Sequence, residues 1–139
     1  MIKKFVIYGL LGFCGEVLWT GIGSLVKGDV KLTGWTYIWM FFIYGLAVFL
    51  EPIHDRTRHL SFFIRGGIYM ILIFMTEFIT GSILLRVLGV CPWSYAGKPL
   101  SPYGLITFTY GPVWFVAGLI FEKIHDTLTQ LQLANMDNI

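Results

Sequence analysis

Four apolar runs dominate this chain, at residues 5–26, 35–53, 62–88 and 104–122. Each is near the ~20 residues that cross a ~30 Å hydrocarbon core. Inside such a core no water can satisfy backbone N–H and C=O groups, so runs of this length read as helices that satisfy their own. Composition points the same way, since 56% hydrophobic, 17% aromatic and 13% charged residues exceed what a soluble chain of 139 residues can hide. The expected fold is all-α and polytopic: one integral membrane domain over 1–139, built as a four-transmembrane-helix bundle with a tail at 123–139. A net charge of +2, scattered along the chain, argues against a nucleic-acid partner.

The start imitates a signal peptide, with Lys3 and Lys4 before an apolar run, but no small-x-small cleavage site follows and Glu16 interrupts the segment. It is expected to stay as the first span. Lys27-Gly28-Asp29-Val30-Lys31 closes the first hairpin. Lys3, Lys4, Arg56, Arg58, Arg65 and Lys123 then share one side and Lys27, Lys31, Arg86 and Lys98 the other, which puts both termini in the cytoplasm of a cell that carries the protein in its plasma membrane. Trp35, Trp39 and Trp93 fall at the outer interface.

The chain also repeats itself. Glu51-Pro52-Ile53-His54-Asp55 returns as Glu122-Lys123-Ile124-His125-Asp126, and Tyr44-Gly45 returns as Tyr110-Gly111. Glu16 lies twelve residues after Lys4 and Glu77 twelve after Arg65, roughly 18 Å along a helix in each case. Two tandem helical hairpins in the same orientation are expected, with function at the repeat interface.

Glu16 and Glu77 are the leading functional candidates. A carboxylate at mid-membrane depth costs roughly 2.5–3.5 kcal/mol on insertion scales, so it faces a polar interior or a partner. Such a pair can share a proton or coordinate a cation. The structural alternative pairs each Glu with Thr20, Thr80, Tyr44, Tyr110 or a neighbouring arginine. A di-iron site from Glu16, Glu77, Glu51/His54 and Glu122/His125 matches the ligand set of ferritin-like bundles, but the two pairs differ in depth by about 18 Å. Glu51, His54, Asp55, Glu122, His125 and Asp126 are therefore expected to be two solvated helix ends that pair locally. Arg56, Arg58 and Arg65 would meet anionic lipid headgroups beside them.

Residues 89–103 hold Cys91, Pro92, Trp93, Tyr95, Pro99, Pro102 and Tyr103, which rules out a regular helix. This loop anchors at the interface, dips into the leaflet or lids a cavity above Glu77. Cys14 and Cys91 are too far apart in depth for a disulfide. Gly9, Gly12, Gly15, Gly66, Gly67, Gly81 and Gly118 should allow helices to approach, and Pro112 should kink the fourth span.

Gly12-Phe13-Cys14-Gly15-Glu16-Val17, Phe42-Ile43-Tyr44-Gly45, Thr76-Glu77-Phe78-Ile79-Thr80-Gly81, Cys91-Pro92-Trp93-Ser94-Tyr95 and Gly104-Leu105-Ile106-Thr107 together resemble one family. It is the transmembrane protein 229 family, grouped with bacterial CmpB-like proteins under the description putative ABC-transporter type IV. The resemblance implies the membrane fold and matches at Glu16, Glu77, Tyr44, Gly45, Trp93, Tyr95 and Gly104. Where the family has Trp-Asp-Tyr this chain has Trp93-Ser94-Tyr95, so no acid stands in that loop.

The chain lacks the G-x-x-x-x-G-K-[ST] phosphate loop, so it is not the ATPase of an ABC transporter. H-E-x-x-H, C-x-x-C, G-x-S-x-G and G-x-G-x-x-G are absent too. No cofactor and no metal are expected, and no catalytic residue is assigned. The expected function is transport- or channel-like, with Glu16 and Glu77 at a polar centre and Tyr44, Tyr110, Trp93 and Tyr95 lining access, in a homo-oligomer among membrane lipids. The alternatives are a non-catalytic accessory subunit that binds lipid or a larger membrane complex, and a lipid-acting membrane enzyme with a glutamate base.

Overall fold

The computed structural model describes residues 1–136, with the backbone alone from 132. Among the described residues five α-helices occur in chain order: α1 (Ile2–Val26), α2 (Ile38–Gly45), α3 (Glu51–Thr57), α4 (Phe62–Leu88) and α5 (Gly111–Met136). Short 3-10 turns lie at Leu46–Leu50, Pro102–Gly104 and Phe108–Tyr110. No strand occurs among the described residues. Two compact units result, Met1–Phe49 and Leu50–Ile139.

Among the described residues, three helical stretches are long and apolar enough to cross a membrane: Ile2–Val26, Ile38–Thr57 and Phe62–Leu88. The second runs α2, the 3-10 turn and α3 together, with Pro52 in the first turn of α3, where a missing N–H costs nothing. The expected run at 104–122 differs. Its first seven residues are not α-helical, α5 begins only at Gly111, and the helix continues to Met136. Pro112 therefore starts a helix instead of kinking one. The fraying expected at 135–139 falls mostly on residues outside those described.

α4 ends where Gly89 adopts φ 73°, a left-handed conformation open to glycine without a side-chain clash. Residues 89–110 fold back along the second half of α4: Trp93, Leu105 and Cys91 pack on Gly81, the Tyr103 ring lies 6.1 Å from Phe78, and Phe108 lies 5.4 Å from Phe74. The first unit does the same over a shorter distance. After the turn at 27–31, where Gly28 has φ 94°, the chain returns along α1 with Leu32 at φ 55° and Gly34 against Val17. The Thr20 hydroxyl there donates to Trp35 O (2.8 Å) and accepts from Trp35 N (2.9 Å).

These contacts put the repeat in register. Lys4, Tyr8, Glu16 and Thr20 correspond to Arg65, Tyr69, Glu77 and Gly81, 61 positions on. Gly34, Trp35, Phe41 and Tyr44 correspond to Gly104, Leu105, Gly111 and Trp114, 70 positions on. The difference is the longer fold-back segment of the second unit. Equivalent contacts recur with sizes exchanged: Thr20 meets Trp35 where Gly81 meets Leu105, and Gly9 meets Phe41 where Met70 meets Gly111. Tyr8 and Tyr69 are both fully buried.

Not every glycine is a contact point. A Cβ on Gly12 would fall 2.2 Å from Tyr44 Cγ, and one on Gly118 2.3 Å from Tyr69 Cβ, so both permit close helix packing. Gly15 and Gly67 face open space. Gly12→Ala should lower stability by about 1–3 kcal/mol through overpacking at the root of Tyr44. Gly15→Ala should be neutral or stabilising by up to about 1 kcal/mol. Thermal unfolding of the two variants in one detergent checks the contrast.

Candidate functional site

Each unit carries one glutamate on its long apolar helix, and each fold-back segment brings polar groups to it. Glu77 lies eleven residues before the end of α4, about 16 Å along the helix axis. It is only 6% exposed. Its Oε1 accepts from the Tyr95 hydroxyl at 2.7 Å and its Oε2 from the Trp114 indole N–H at 3.2 Å. Indole can only donate, so this pairing fits an acceptor carboxylate.

An aromatic cluster surrounds that carboxylate. The Tyr110 ring stands 5.6 Å from Tyr95 and 6.1 Å from Trp114. Lys98 Nζ sits 5.3 Å and 4.8 Å from the Tyr95 and Tyr110 ring centres, a cation–π arrangement at the exposed edge. Trp93 has a different task, since its indole N–H donates to Leu105 O at 3.0 Å and its ring packs on Gly81. It ties the fold-back segment to itself.

Glu16 is placed comparably in α1, with Tyr44 and Thr36 as its polar neighbours. Its Oε2 is enclosed without a partner at hydrogen-bonding distance among the described residues, as is Thr36 Oγ1. Thr20 does not serve it, because that hydroxyl is engaged with Trp35 and with the carbonyls of Glu16 and Val17. Thr80 likewise bonds the Thr76 and Glu77 carbonyls.

Of the residues expected at the site, the second unit brings Glu77, Tyr95 and Tyr110 together, and the first brings Glu16 to Tyr44. Trp114, Thr36 and Lys98 were not anticipated. Trp114 stands ten residues after Gly104, as Tyr44 stands ten after Gly34. That register was hidden by the more obvious match of Tyr44-Gly45 to Tyr110-Gly111.

A second polar cluster joins α3, α4 and α5, and here the expectation of two solvated helix ends is corrected. His54 is fully buried, and Glu122 and His125 are buried as well. His125 does not pair locally: Nδ1 lies 3.2 Å from Glu51 Oε1 and Nε2 3.1 Å from Asp55 Oδ1, both on α3. Tyr69 on α4 donates to Glu122 Oε2 at 2.5 Å and is 2.8 Å from the Thr57 hydroxyl. Arg65 pairs with Glu122 Oε1 at 3.1 Å and donates to Arg58 O at 3.3 Å. Charge-assisted contacts offset the loss of water at Glu122 and His125, whereas His54 has no hydrogen-bond partner at either ring nitrogen among the described residues.

Arg58 lies just past the second span, where it donates to Asp55 and Asp126. Its guanidinium holds the Asp126 carboxyl below the usual carboxylate range. Arg58 and Arg65 are thus engaged within the protein, while Arg56 is exposed. No group of three or more His, Cys, Asp or Glu among the described residues is arranged to hold a metal ion.

The family described as Putative ABC-transporter type IV matches residues 3–138, and the chain belongs to it. No solved structure matches. Family and apolar helices together define a membrane protein of a transport-related class.

Tyr95→Phe removes one donor from a buried carboxylate, which costs about 1–3 kcal/mol. The 89–110 segment should then loosen on α4. Hydrogen exchange should rise across 91–105 and stay unchanged across 27–37.

Proposed function

We propose that the protein conducts or transports a small cation, the proton included, across the plasma membrane, with Glu16 and Glu77 as its intramembrane carboxylates. The observation that carries this reading is Glu77, 6% exposed in an apolar helix yet held at both oxygens by Tyr95 and Trp114. A chain that keeps such a group in hydrocarbon, and folds 22 residues back to serve it, has a use for the charge.

The two carboxylates divide the work. Glu77 has a donor on each oxygen and fixes the fold-back segment, with Tyr110 and Lys98 at its mouth and Trp93 bracing it. Glu16 keeps one enclosed oxygen unpartnered. An enclosed acceptor of this kind is where a proton or cation binds with the greatest gain. In this reading α5 supplies a fourth span over its apolar first half, the two units are tandem hairpins, both termini face the cytoplasm, and copies of the chain associate. Arg56 is the arginine available to lipid headgroups.

Glu16→Gln should leave the protein folded and abolish pH-dependent cation flux in proteoliposomes. Glu77→Gln should reduce the flux and loosen the 89–110 segment as well. Unchanged flux in Glu16→Gln would contradict the proposal.

A further inference from the structure

The Lys98 ammonium is seated on aromatic rings instead of on a carboxylate. A tight turn aims it there: the Lys98 N–H donates to Tyr95 O at 3.0 Å, with Gly97 in the third place of the turn at φ 82°. Nζ then lies over the Tyr95 ring, 5.3 Å from its centre, and over the Tyr110 ring, 4.8 Å from its centre. Lys98 is otherwise an exposed residue, free to keep its rotamers and its water. A seat on two rings has to offset both losses, and cation–π attraction is the force at hand.

The rings are arranged and charged to suit a cation. Tyr95 and Tyr110 stand 5.6 Å apart at 68°, so their faces meet as two walls of a corner, and Trp114 continues the wall 6.1 Å beyond Tyr110. Tyr95 and Trp114 both donate to the Glu77 carboxylate, at 2.7 Å and 3.2 Å. A ring that donates to a carboxylate gains electron density, which strengthens its face toward a cation, and the carboxylate adds negative charge behind the wall. Directed hydrogen bonding contributes little: the contact from Nζ to the Tyr110 hydroxyl is 3.5 Å, too long to orient an ammonium. The corner therefore selects positive charge and apolar bulk more than N–H donors. A lysine head supplies the first of these, and a methylated ammonium supplies both.

We propose that Tyr95, Tyr110 and Trp114, backed by Glu77, form a binding site for an organic ammonium head, and that Lys98 occupies it as a tethered stand-in. An incoming ammonium displaces the Lys98 head into water and takes over the ring faces; no covalent bond forms or breaks. Two sources share this chemistry, a free quaternary amine and the choline head of a lipid, since both present a positive charge wrapped in methyl groups. The short tether gives Lys98 an effective concentration on the order of millimolar at the rings, so it sets the level of ligand needed to open the site. The site is separate from Glu16 and does not depend on flux through it.

Tetramethylammonium and neopentanol, a neutral molecule of similar size, are titrated onto the full chain in phosphatidylglycerol nanodiscs and followed by saturation-transfer NMR of their methyl signals. In wild type the Lys98 ε-methylene signal, identified by its loss in Lys98→Ala, should lie upfield through the ring currents and move to the position of a lysine in water as tetramethylammonium is added. Lys98→Ala should bind tetramethylammonium about ten-fold more tightly than wild type, and neopentanol no more tightly. Adding Tyr110→Leu to Lys98→Ala should abolish that gain and adding Tyr110→Phe should keep it, which separates the ring faces from the mere loss of a repelling charge. In phosphatidylcholine nanodiscs a gain that persists identifies a free ammonium as the ligand, and a gain that disappears identifies the lipid head. An unshifted Lys98 signal in wild type, equal tetramethylammonium affinity in wild type and Lys98→Ala, an equal gain for neopentanol, or a gain that survives Tyr110→Leu would overturn the proposal.

Discussion

The Glu77 carboxylate is the constraint on which the second unit depends. In hydrocarbon it cannot exchange hydrogen bonds with water, so its donors must come from the chain, and a lone helix has none to offer at that depth. Tyr95 reaches it from the non-helical segment and Trp114 from the first turns of α5. Satisfying one side chain thus dictates that 89–110 run inward along α4 and that α5 start late. Exposed backbone at that depth is tolerable only against protein, and Gly81, Phe78 and Phe74 provide the surface.

The same logic in smaller form shapes the first unit. Thr20 clasps Trp35 through two hydrogen bonds, Gly34 lies against Val17, and Thr36 and Tyr44 arrive at Glu16. Each unit contains a long helix, a segment folded back along it and a following helix, and the second unit carries α3 as well. The repeat conserves the helix contacts and places its length difference in the folded-back segment. The two glutamates end in unlike states, one with both oxygens served and the other with an enclosed oxygen open.

Much of this was legible in the residues. Apolar run length gave α1 and α4 nearly to the residue, and the Gly/Pro-rich stretch after Gly89 ruled out regular helix. Family membership was legible through scattered motifs that no single spacing rule captures. Hydropathy could not show that 104–110 is non-helical, because a backbone running beside α4 is as apolar as one inside a helix. Nor could it show the burial of His54, Glu122 and His125. Taken one helix at a time, Glu-x-x-His-Asp is a solvated end, and only the meeting of α3 with α5 supplies Glu51 and Asp55 to His125. Trp114 was missed because its equivalence to Tyr44 depends on a register that the longer loop conceals.

The central claim is that an intramembrane carboxylate with an open oxygen is the working group of this protein. Infrared difference spectra of the protein in bilayers, taken on exchange of pH and of cation, read carboxyl groups directly. A carboxyl band that changes in wild type and vanishes in Glu16→Gln is the predicted result. A wild-type spectrum without any carboxyl change, or one that Glu16→Gln leaves intact, would contradict it.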